Sequence, residues 1–176
     1  MKKLIVALIL LVGFTSCQEQ HKIAFVDNSK VVNEYEKKKK FEAKFQAKIN
    51  TFNKKVDSLD QAIKIEAQLF QNRAATMNKT KAEQEYNALL SKKQMQDYQI
   101  GSEEKALQAE GQKNIDTLVK EVKAFIKDYG KTNGYTFILG ANEAGSVLYG
   151  TEGTDITEVV LEALNKKYED EKTAEQ

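Results

Sequence analysis

The sequence lacks proline and tryptophan altogether, and it has one cysteine and one histidine among its 176 residues. A chain without proline can form long uninterrupted helices, because proline in a helix interior removes a hydrogen bond and clashes with the preceding turn. A single cysteine excludes an internal disulfide. Cys17 and His21 provide no pair of nucleophile and base, and His21 has no second metal ligand beside it.

Glycine is also scarce, and its positions exclude nucleotide-binding loops. None of the nine glycines belongs to a phosphate-binding GxxxxGK loop, and no GxGxxG pattern follows a predicted strand. Carboxylates are spread along helical segments with lysines between them, as on a solvated surface. We therefore predict that the protein is not an enzyme and that it needs no cofactor and no metal.

The first seventeen residues, MKKLIVALILLVGFTSC, have the composition of an export signal. Lys2 and Lys3 precede an apolar run of 11 residues, Leu4 to Phe14. That run is too short to cross a bilayer, for which about 20 residues are needed. We predict that residues 1–16 are removed, that Cys17 becomes the lipid-bearing first residue, and that residues 17–21 form a linker. Ordinary signal cleavage nearby is the alternative.

The mature chain is nearly neutral. Removal of Lys2 and Lys3 from the 27 basic residues leaves 25, against 26 acidic residues. A nucleic-acid binder normally shows a clustered basic excess, so we expect no nucleic acid among the partners. The run KKKK at 37–40 opens an amphipathic helix, and we interpret it as a solvated helix face. Contact with anionic lipid or an acidic partner is the alternative.

Two segments show the heptad spacing of apolar residues that is typical of coiled coils. The first segment contains Phe45, Ile49, Phe52, Val56, Leu59 and Ile63, and the second contains Ile115, Leu118, Val122, Phe125 and Tyr129. Between them, residues 71–80 (QNRAATMNKT) have few large apolar side chains and predict a chain reversal. Gly101 and Gly111 weaken the helix that follows. Residues 37–114 are therefore predicted to form a helical hairpin arm that is firm at its base and loose at its tip.

Short β-prone runs lie on either side of this arm. KIAFVD (22–27) precedes it, whereas YTFIL (135–139) and SVLY (146–149) follow it and predict a β-hairpin that pairs with the first strand. A helix begins near Asp155, and the charged residues 169–176 predict a disordered tail. The predicted fold class is α+β, with a small β body of residues 22–36 and 115–168 into which the long coiled-coil hairpin is inserted.

The first strand offers apolar residues to both of its faces, with Ile23 and Phe25 on one face and Ala24 and Val26 on the other. A body of three strands and two helices has a small core, which is marginal alone. We therefore expect self-association to cover the second face. The predicted residues of the body core and the oligomer contact are Ile23, Phe25, Val26, Phe137, Leu139, Val147 and Tyr149.

Over residues 22–168 the chain resembles the Skp (OmpH-like) periplasmic chaperones. The resemblance rests on KIAFVD, the long charged hairpin, YTFILGANEAGSVLYG and DITEVVLEALN. It implies a jellyfish-like homotrimer in the periplasm of a Gram-negative-type envelope, with the strands at the threefold axis and three arms around a cavity. It also implies an ATP-independent holdase that binds unfolded outer-membrane β-barrel proteins and prevents their aggregation.

Apolar residues near the tip of the arm are the candidate client contacts under this hypothesis. They are Leu69, Phe70, Met77 and Tyr86. The alternative hypothesis is a structural or scaffolding envelope lipoprotein whose coiled coil binds one folded partner. It shares the apolar seam and the membrane tether at Cys17, but it predicts saturable binding to a folded protein and indifference to unfolded ones.

Overall fold

The computed structural model describes residues 21–142 and 146–174 of the chain. The elements in chain order are β1 (Ile23–Asp27), α1 (Asn28–Glu34), α2 (Glu36–Ala74), α3 (Lys79–Thr132), β2 (Phe137–Ala141), a 3-10 turn (Glu152–Thr154) and α4 (Thr157–Ala174). The predicted α+β class, with a long helical hairpin inserted into a small β-containing body, is confirmed.

The two strands form a parallel sheet, in which Ile23 is paired with Phe137. The predicted pairing of the first strand with the YTFIL run is confirmed. Parallel neighbours require a long crossover connection, and the whole helical hairpin provides it. On the opposite edge of β1, the Ile156 N–H donates to the carbonyl oxygen of Phe25 over 3.1 Å.

The predicted second strand of the β-hairpin is wrong. Residues 146–149 form no strand, and residues 143–145 lie outside the described ranges. Leu148 is 92% exposed and Tyr149 is 85% exposed. The preference of such residues for strands reflects packing on a pleated, half-buried surface, and this run pairs with no strand among the described residues. The segment at Ile156 takes the second edge of β1 instead.

The core lies between the inner face of the sheet, α1, α4 and the C-terminal part of α3. Its buried residues are Ala24, Val26, Val31, Tyr35, Leu118, Val122, Ile156, Val160, Leu161 and Leu164. Asp27 caps α1, because its carboxylate accepts a hydrogen bond from the Lys30 N–H over 2.9 Å. Two residues beyond α3, Gly134 has a φ of 70°, the left-handed conformation in which glycine commonly ends a helix.

Helices α2 and α3 form the arm. The length of α2 is about 58 Å at about 1.5 Å per residue. The chain reverses at residues 75–78, inside the predicted reversal, and the Asn78 side chain caps α3 by accepting from the Thr80 N–H over 2.8 Å. The predicted seam positions are buried or partly buried, whereas most residues between them are exposed. Helix α3 runs without a break through Gly101 and Gly111.

The C-terminal helix differs from the prediction at residues 169–176, because α4 continues to Ala174. Lys40 on α2 donates to the Glu169 carboxylate over 2.7 Å, and the Tyr168 ring packs edge-on against Tyr35 with centroids 5.9 Å apart. The hydrogen bond lowers the pKa of Glu169 and raises the pKa of Lys40. Contacts with α2 thus support a helix that the charge run alone does not predict.

Candidate functional site

The base of the arm is connected to the body by ion pairs of the KKKK run. Each of the four lysines contacts a carboxylate: Lys37 with Glu121 at 2.6 Å, Lys38 with Glu42 at 2.6 Å, Lys39 with Glu36 at 3.0 Å and Lys40 with Glu169 at 2.7 Å. Two of these pairs reach other helices, one on α3 and one on α4. The run therefore joins the arm to the body instead of presenting four unpaired cations.

Tyr35 lies in the core at the junction of α1 and α2, where it is 1% exposed. Its hydroxyl donates to Glu121 Oε1 over 2.7 Å, and Lys37 Nζ donates to the other oxygen of the same carboxylate over 2.6 Å. Burial, together with the hydrogen bond to Glu121, raises the pKa of the Tyr35 phenol. A neutral phenol and a doubly bound carboxylate thus hold the base of α2 against α3.

The outer part of the arm exposes large apolar side chains. Within residues 37–114, the exposed large apolar residues are Ile65, Leu69, Tyr86, Leu90, Met95 and Tyr98, and we name them the outer-arm surface. All six fall between positions 65 and 98, on both sides of the reversal, and Tyr98 is the most exposed at 79%. A single exposed apolar residue needs no explanation, but a concentration of them marks a surface for binding.

Two of the four predicted client contacts belong to the outer-arm surface: Leu69 is 53% exposed and Tyr86 is 55% exposed. Phe70 and Met77 are partly buried, and the Phe70 ring packs on Tyr86 with centroids 6.2 Å apart. Ile65, Leu90, Met95 and Tyr98 are exposed as well but were not among the predicted contacts. The sequence does contain a signal for these four residues. A large apolar residue that lies off the heptad seam does not face the partner helix, so its side chain is expected to be exposed.

A groove near the tip includes part of this surface. It has a volume of about 340 Å³ and is lined by Glu66, Leu69, Phe70, Arg73, Ala88, Leu89 and Lys92. Ion pairs stand at its rim, one between Lys92 and Glu66 and another between Arg73 and Glu85 at 3.5 Å. Such a groove can accept an apolar side chain from an extended polypeptide, while the charged rim keeps the surroundings hydrated.

The sheet turns one face to the core and the other outwards. Ala24 and Val26 are buried, whereas Ile23 and Phe25 are not, so the predicted alternation along the first strand is confirmed. Six of the seven predicted body residues keep part of their surface exposed in the single chain: Ile23 at 48%, Phe137 at 56%, Leu139 at 47% and Tyr149 at 85%, with Phe25 and Val147 partly buried. Ile23, Phe137 and Leu139 thus give the sheet an apolar outer face that is available for contact with another molecule.

Comparison with known proteins identifies this architecture. The sequence matches the family described as "Outer membrane protein (OmpH-like)" over residues 22–164. The chain belongs to the OmpH-like family. A crystal structure from Caulobacter crescentus CB15, described as a "putative outer membrane chaperone (OmpH-like)", resembles it with a TM-score of 0.74 and 18% identity, over 84% of this chain and 85% of that one. A comparison with curated proteins found no match.

The OmpH-like arm carries a polar residue inside its seam. Gln96 on α3 is 8% exposed, and its Nε2 has no hydrogen-bond partner among the described residues. Ion pairs lie on either side of it along α3: Lys93 contacts Asp60 at 3.5 Å, and Glu103 contacts Lys55. A buried amide without a partner costs free energy, so the seam is weaker here than where apolar residues such as Val122 fill it.

The described ranges of this OmpH-like chain hold no cluster of three or more side chains suited to a metal ion. Across the same residues, no helix has both the length and the apolar composition to cross a bilayer. That this chain is not an enzyme stays a prediction. The predicted lipid site Cys17 and the signal segment 1–16 lie outside the described residues.

Proposed function

We propose that this OmpH-like chain is an ATP-independent holdase that binds unfolded outer-membrane β-barrel proteins in the periplasm and prevents their aggregation. The outer-arm surface carries the proposal, because six exposed large apolar side chains lie in the half of the arm farthest from the body. An unfolded β-barrel protein exposes the apolar side chains that a membrane later covers, so the two surfaces match in chemistry.

Each contact with the outer-arm surface is weak by itself. Full burial of a leucine- or phenylalanine-sized side chain is worth about 1.5–3 kcal/mol. Leu69 and Tyr86 are already about half covered by the rest of the arm, and each gains roughly half of that amount when a client covers it. Part of this gain is offset by the entropy that the client loses. Many such contacts hold a client without binding it irreversibly.

Self-association brings several arms to one client, and the outer face of the sheet is the surface that we assign to it. Ile23, Phe137 and Leu139 are apolar and about half exposed there, and a second copy of the chain supplies the cover that a two-stranded sheet lacks. The family resemblance favours a homotrimer whose three arms enclose a cavity. Linked arms raise the overall affinity by orders of magnitude over that of one arm.

The N-terminus sends this holdase to the periplasm and tethers it there. Residues 1–16 act as the signal peptide, Cys17 carries the lipid, and residues 17–21 link the anchor to β1. Labelled fatty acid should enter the wild type and not Cys17→Ser. Equal labelling of both proteins would exclude Cys17 as the anchor.

Dilution of a denatured outer-membrane β-barrel protein, with and without the purified mature chain, tests the holdase. Light scattering should fall at stoichiometric amounts of the wild type. The double variant Leu69→Ser, Tyr98→Ser should suppress aggregation less, because it removes exposed apolar surface without changing the seam. Val159→Ser is the matched control, since Val159 is 52% exposed but belongs to α4 in the body, and it should act as the wild type does.

Undiminished aggregation in the presence of the wild type refutes the holdase. Saturable binding of one folded envelope protein, with indifference to unfolded ones, supports the scaffolding lipoprotein instead. Sedimentation analysis of the mature protein tests the assembly, and a monomer at working concentration refutes a cage of several arms.

A further inference from the structure

The outer-arm surface contains the only exposed methionine among residues 21–142 and 146–174. Met95 on α3 is 62% exposed, whereas Met77 at the reversal is partly buried. The remaining sulfur-containing residues of the sequence are Met1, in the predicted signal segment, and Cys17, the proposed lipid site. Within the described arm, an oxidant that attacks sulfur therefore meets one open target, and that target lies on the surface that we assign to the client.

Met95 lies beside the seam of the arm and not in it. The next residue, Gln96, occupies the seam position and is 8% exposed. Tyr98, three residues after Met95, shares its side of the helix and is 79% exposed. Met95 and Tyr98 are thus neighbours on the outer-arm surface. A chemical change confined to the Met95 side chain leaves the packing of α3 on α2 in place.

Methionine differs in its chemistry from the rest of the outer-arm surface. The other five residues of that surface are isoleucine, leucine and tyrosine, and none of them contains a thioether. The flexible, polarisable thioether adapts to apolar partners of many shapes, which suits contact with an unfolded chain. The same sulfur is the atom that mild oxidants convert to a sulfoxide. Met95 therefore combines a client contact with a reactive group.

We propose that Met95 is a site of reversible oxidation, at which a peroxide lowers the affinity of the outer-arm surface for an unfolded client. This inference rests on the proposed holdase function, and it goes beyond that function by assigning a covalent modification that regulates it. Methionine sulfoxide reductases reverse the modification. The exposed position of Met95 makes its sulfur accessible both to the oxidant and to such an enzyme.

The oxidation step transfers one oxygen atom from hydrogen peroxide to Met95 Sδ. A lone pair of the sulfur attacks one peroxide oxygen, the S–O bond forms, and the O–O bond breaks. The second oxygen leaves as water and takes both hydrogens of the peroxide. The sulfur is oxidised by two electrons and the peroxide is reduced by two, so the step needs no other reactant.

The sulfoxide turns an apolar contact into a polar one. Met95 exposes 62% of its surface before a client covers it, so most of its apolar contact is made with the client. Loss of that apolar burial lowers the affinity of one arm by about fivefold. The polar S–O group adds to the loss wherever the client offers it no hydrogen-bond donor. Arms that act together multiply the effect.

Treatment of the purified mature chain with hydrogen peroxide tests the site. Peptide mapping by mass spectrometry follows the gain of oxygen at Met95 and at Met77 over time. The treated protein is then mixed with a denatured outer-membrane β-barrel protein, and light scattering measures aggregation. Met95→Leu removes the exposed sulfur, and Met77→Leu is the matched control that removes the partly buried one. Each protein is compared with its own untreated sample, and circular dichroism verifies that treatment leaves it folded.

Met95 should gain oxygen before Met77 does, because it is the more exposed of the two. After treatment, the wild type and Met77→Leu should bind the client about fivefold less tightly than before, whereas treated Met95→Leu should match its untreated sample. Incubation with methionine sulfoxide reductases should restore the wild type. Met95→Gln places a polar side chain at the same position, so it should reproduce the loss without peroxide.

Faster oxidation of Met77 than of Met95 overturns the proposal, as does an equal loss of suppression in treated Met95→Leu. Complete conversion of Met95 to the sulfoxide with unchanged suppression also overturns it, because the modification would then have no effect on the client. If the untreated wild type does not suppress aggregation, the holdase is refuted and this inference with it. Full suppression both before and after oxidation of Met95 refutes this inference alone.

Discussion

Replacement of Gln96 by leucine should make the arm more stable. The side chain is 8% exposed in the seam of α3, and its Nε2 finds no partner among the described residues. Leucine is an apolar residue of the kind that occupies the other seam positions, and it has nearly the same intrinsic helix propensity as glutamine. The change in stability therefore reports on burial of the amide and not on helix formation.

The expected gain is the cost of the buried amide, which is about 1–3 kcal/mol in the free energy of unfolding. For a chain of this length, each 1 kcal/mol shifts the melting temperature by about 2–4 °C, so Gln96→Leu should raise it by roughly 2–12 °C. The gain should concentrate in the arm, since Gln96 lies between the ion-paired residues Lys93 and Glu103.

Thermal unfolding followed by circular dichroism measures the global effect, and native-state hydrogen exchange of the amides around Gln96 measures the local one. Gln94→Leu is the matched control, because Gln94 lies on the same helix and is exposed. The control should stay within about 0.5 kcal/mol of the wild type.

A lower melting temperature for Gln96→Leu, with the control unchanged, would refute this reasoning. It would show that the Gln96 amide has a hydrogen-bond partner in solution, such as another copy of the chain. Equal stabilisation by both substitutions would also contradict it, because the gain would then come from helix propensity or from the unfolded state.

Three further predictions concern the same helices and the base of the arm. Gly101→Ala should raise the free energy of unfolding by about 0.5–1 kcal/mol, because a Cβ there meets no atom within 4 Å. Gly111→Ala should raise the free energy of unfolding by less, since its Cβ would lie 3.0 Å from Phe45 Cζ. Urea denaturation measures both variants, and a larger gain for Gly111→Ala than for Gly101→Ala would contradict this contact with Phe45. Tyr35→Phe should lower the free energy of unfolding by about 1–3 kcal/mol in urea, because the Glu121 carboxylate loses a hydrogen bond, and an unchanged midpoint would show that the bond contributes nothing. The pKa of Tyr35 is raised in the folded state, so its contribution is fully present below about pH 10, where the unfolded phenol begins to ionise, and is lost as the pH rises further. The wild type should therefore lose stability more steeply than Tyr35→Phe above that pH, and parallel profiles would argue against a buried neutral phenol.

Local periodicity predicted the arm well. The heptad spacing from Phe45 to Ile63 and from Ile115 to Tyr129 depends only on which residues share one side of a helix. The reversal at 75–78 falls within a stretch that has little apolar surface to bury. A helix seam is a short-range property, so one sequence is enough to find it.

The candidate site was predicted only in part. Leu69 and Tyr86 were predicted as apolar residues near the tip, but Met95 and Tyr98 were not, because residues 91–114 have few apolar residues and so show no clear apolar side. Which lysines are paired with a carboxylate could not be predicted either. Lys37 has its partner on α3, 84 positions away, and no local pattern reveals such a pair.

By itself, the sequence determined the class of fold, the two seams and the reversal between them, because these depend on composition and on periodicity along the chain. Only the tertiary structure decided that residues 146–149 form no strand, that Ile156 takes the second edge of β1, and which lysines keep a free charge. Strand pairing and ion pairing depend on neighbours that are distant in sequence. A β-prone run such as SVLY becomes a strand only where an edge is open to it.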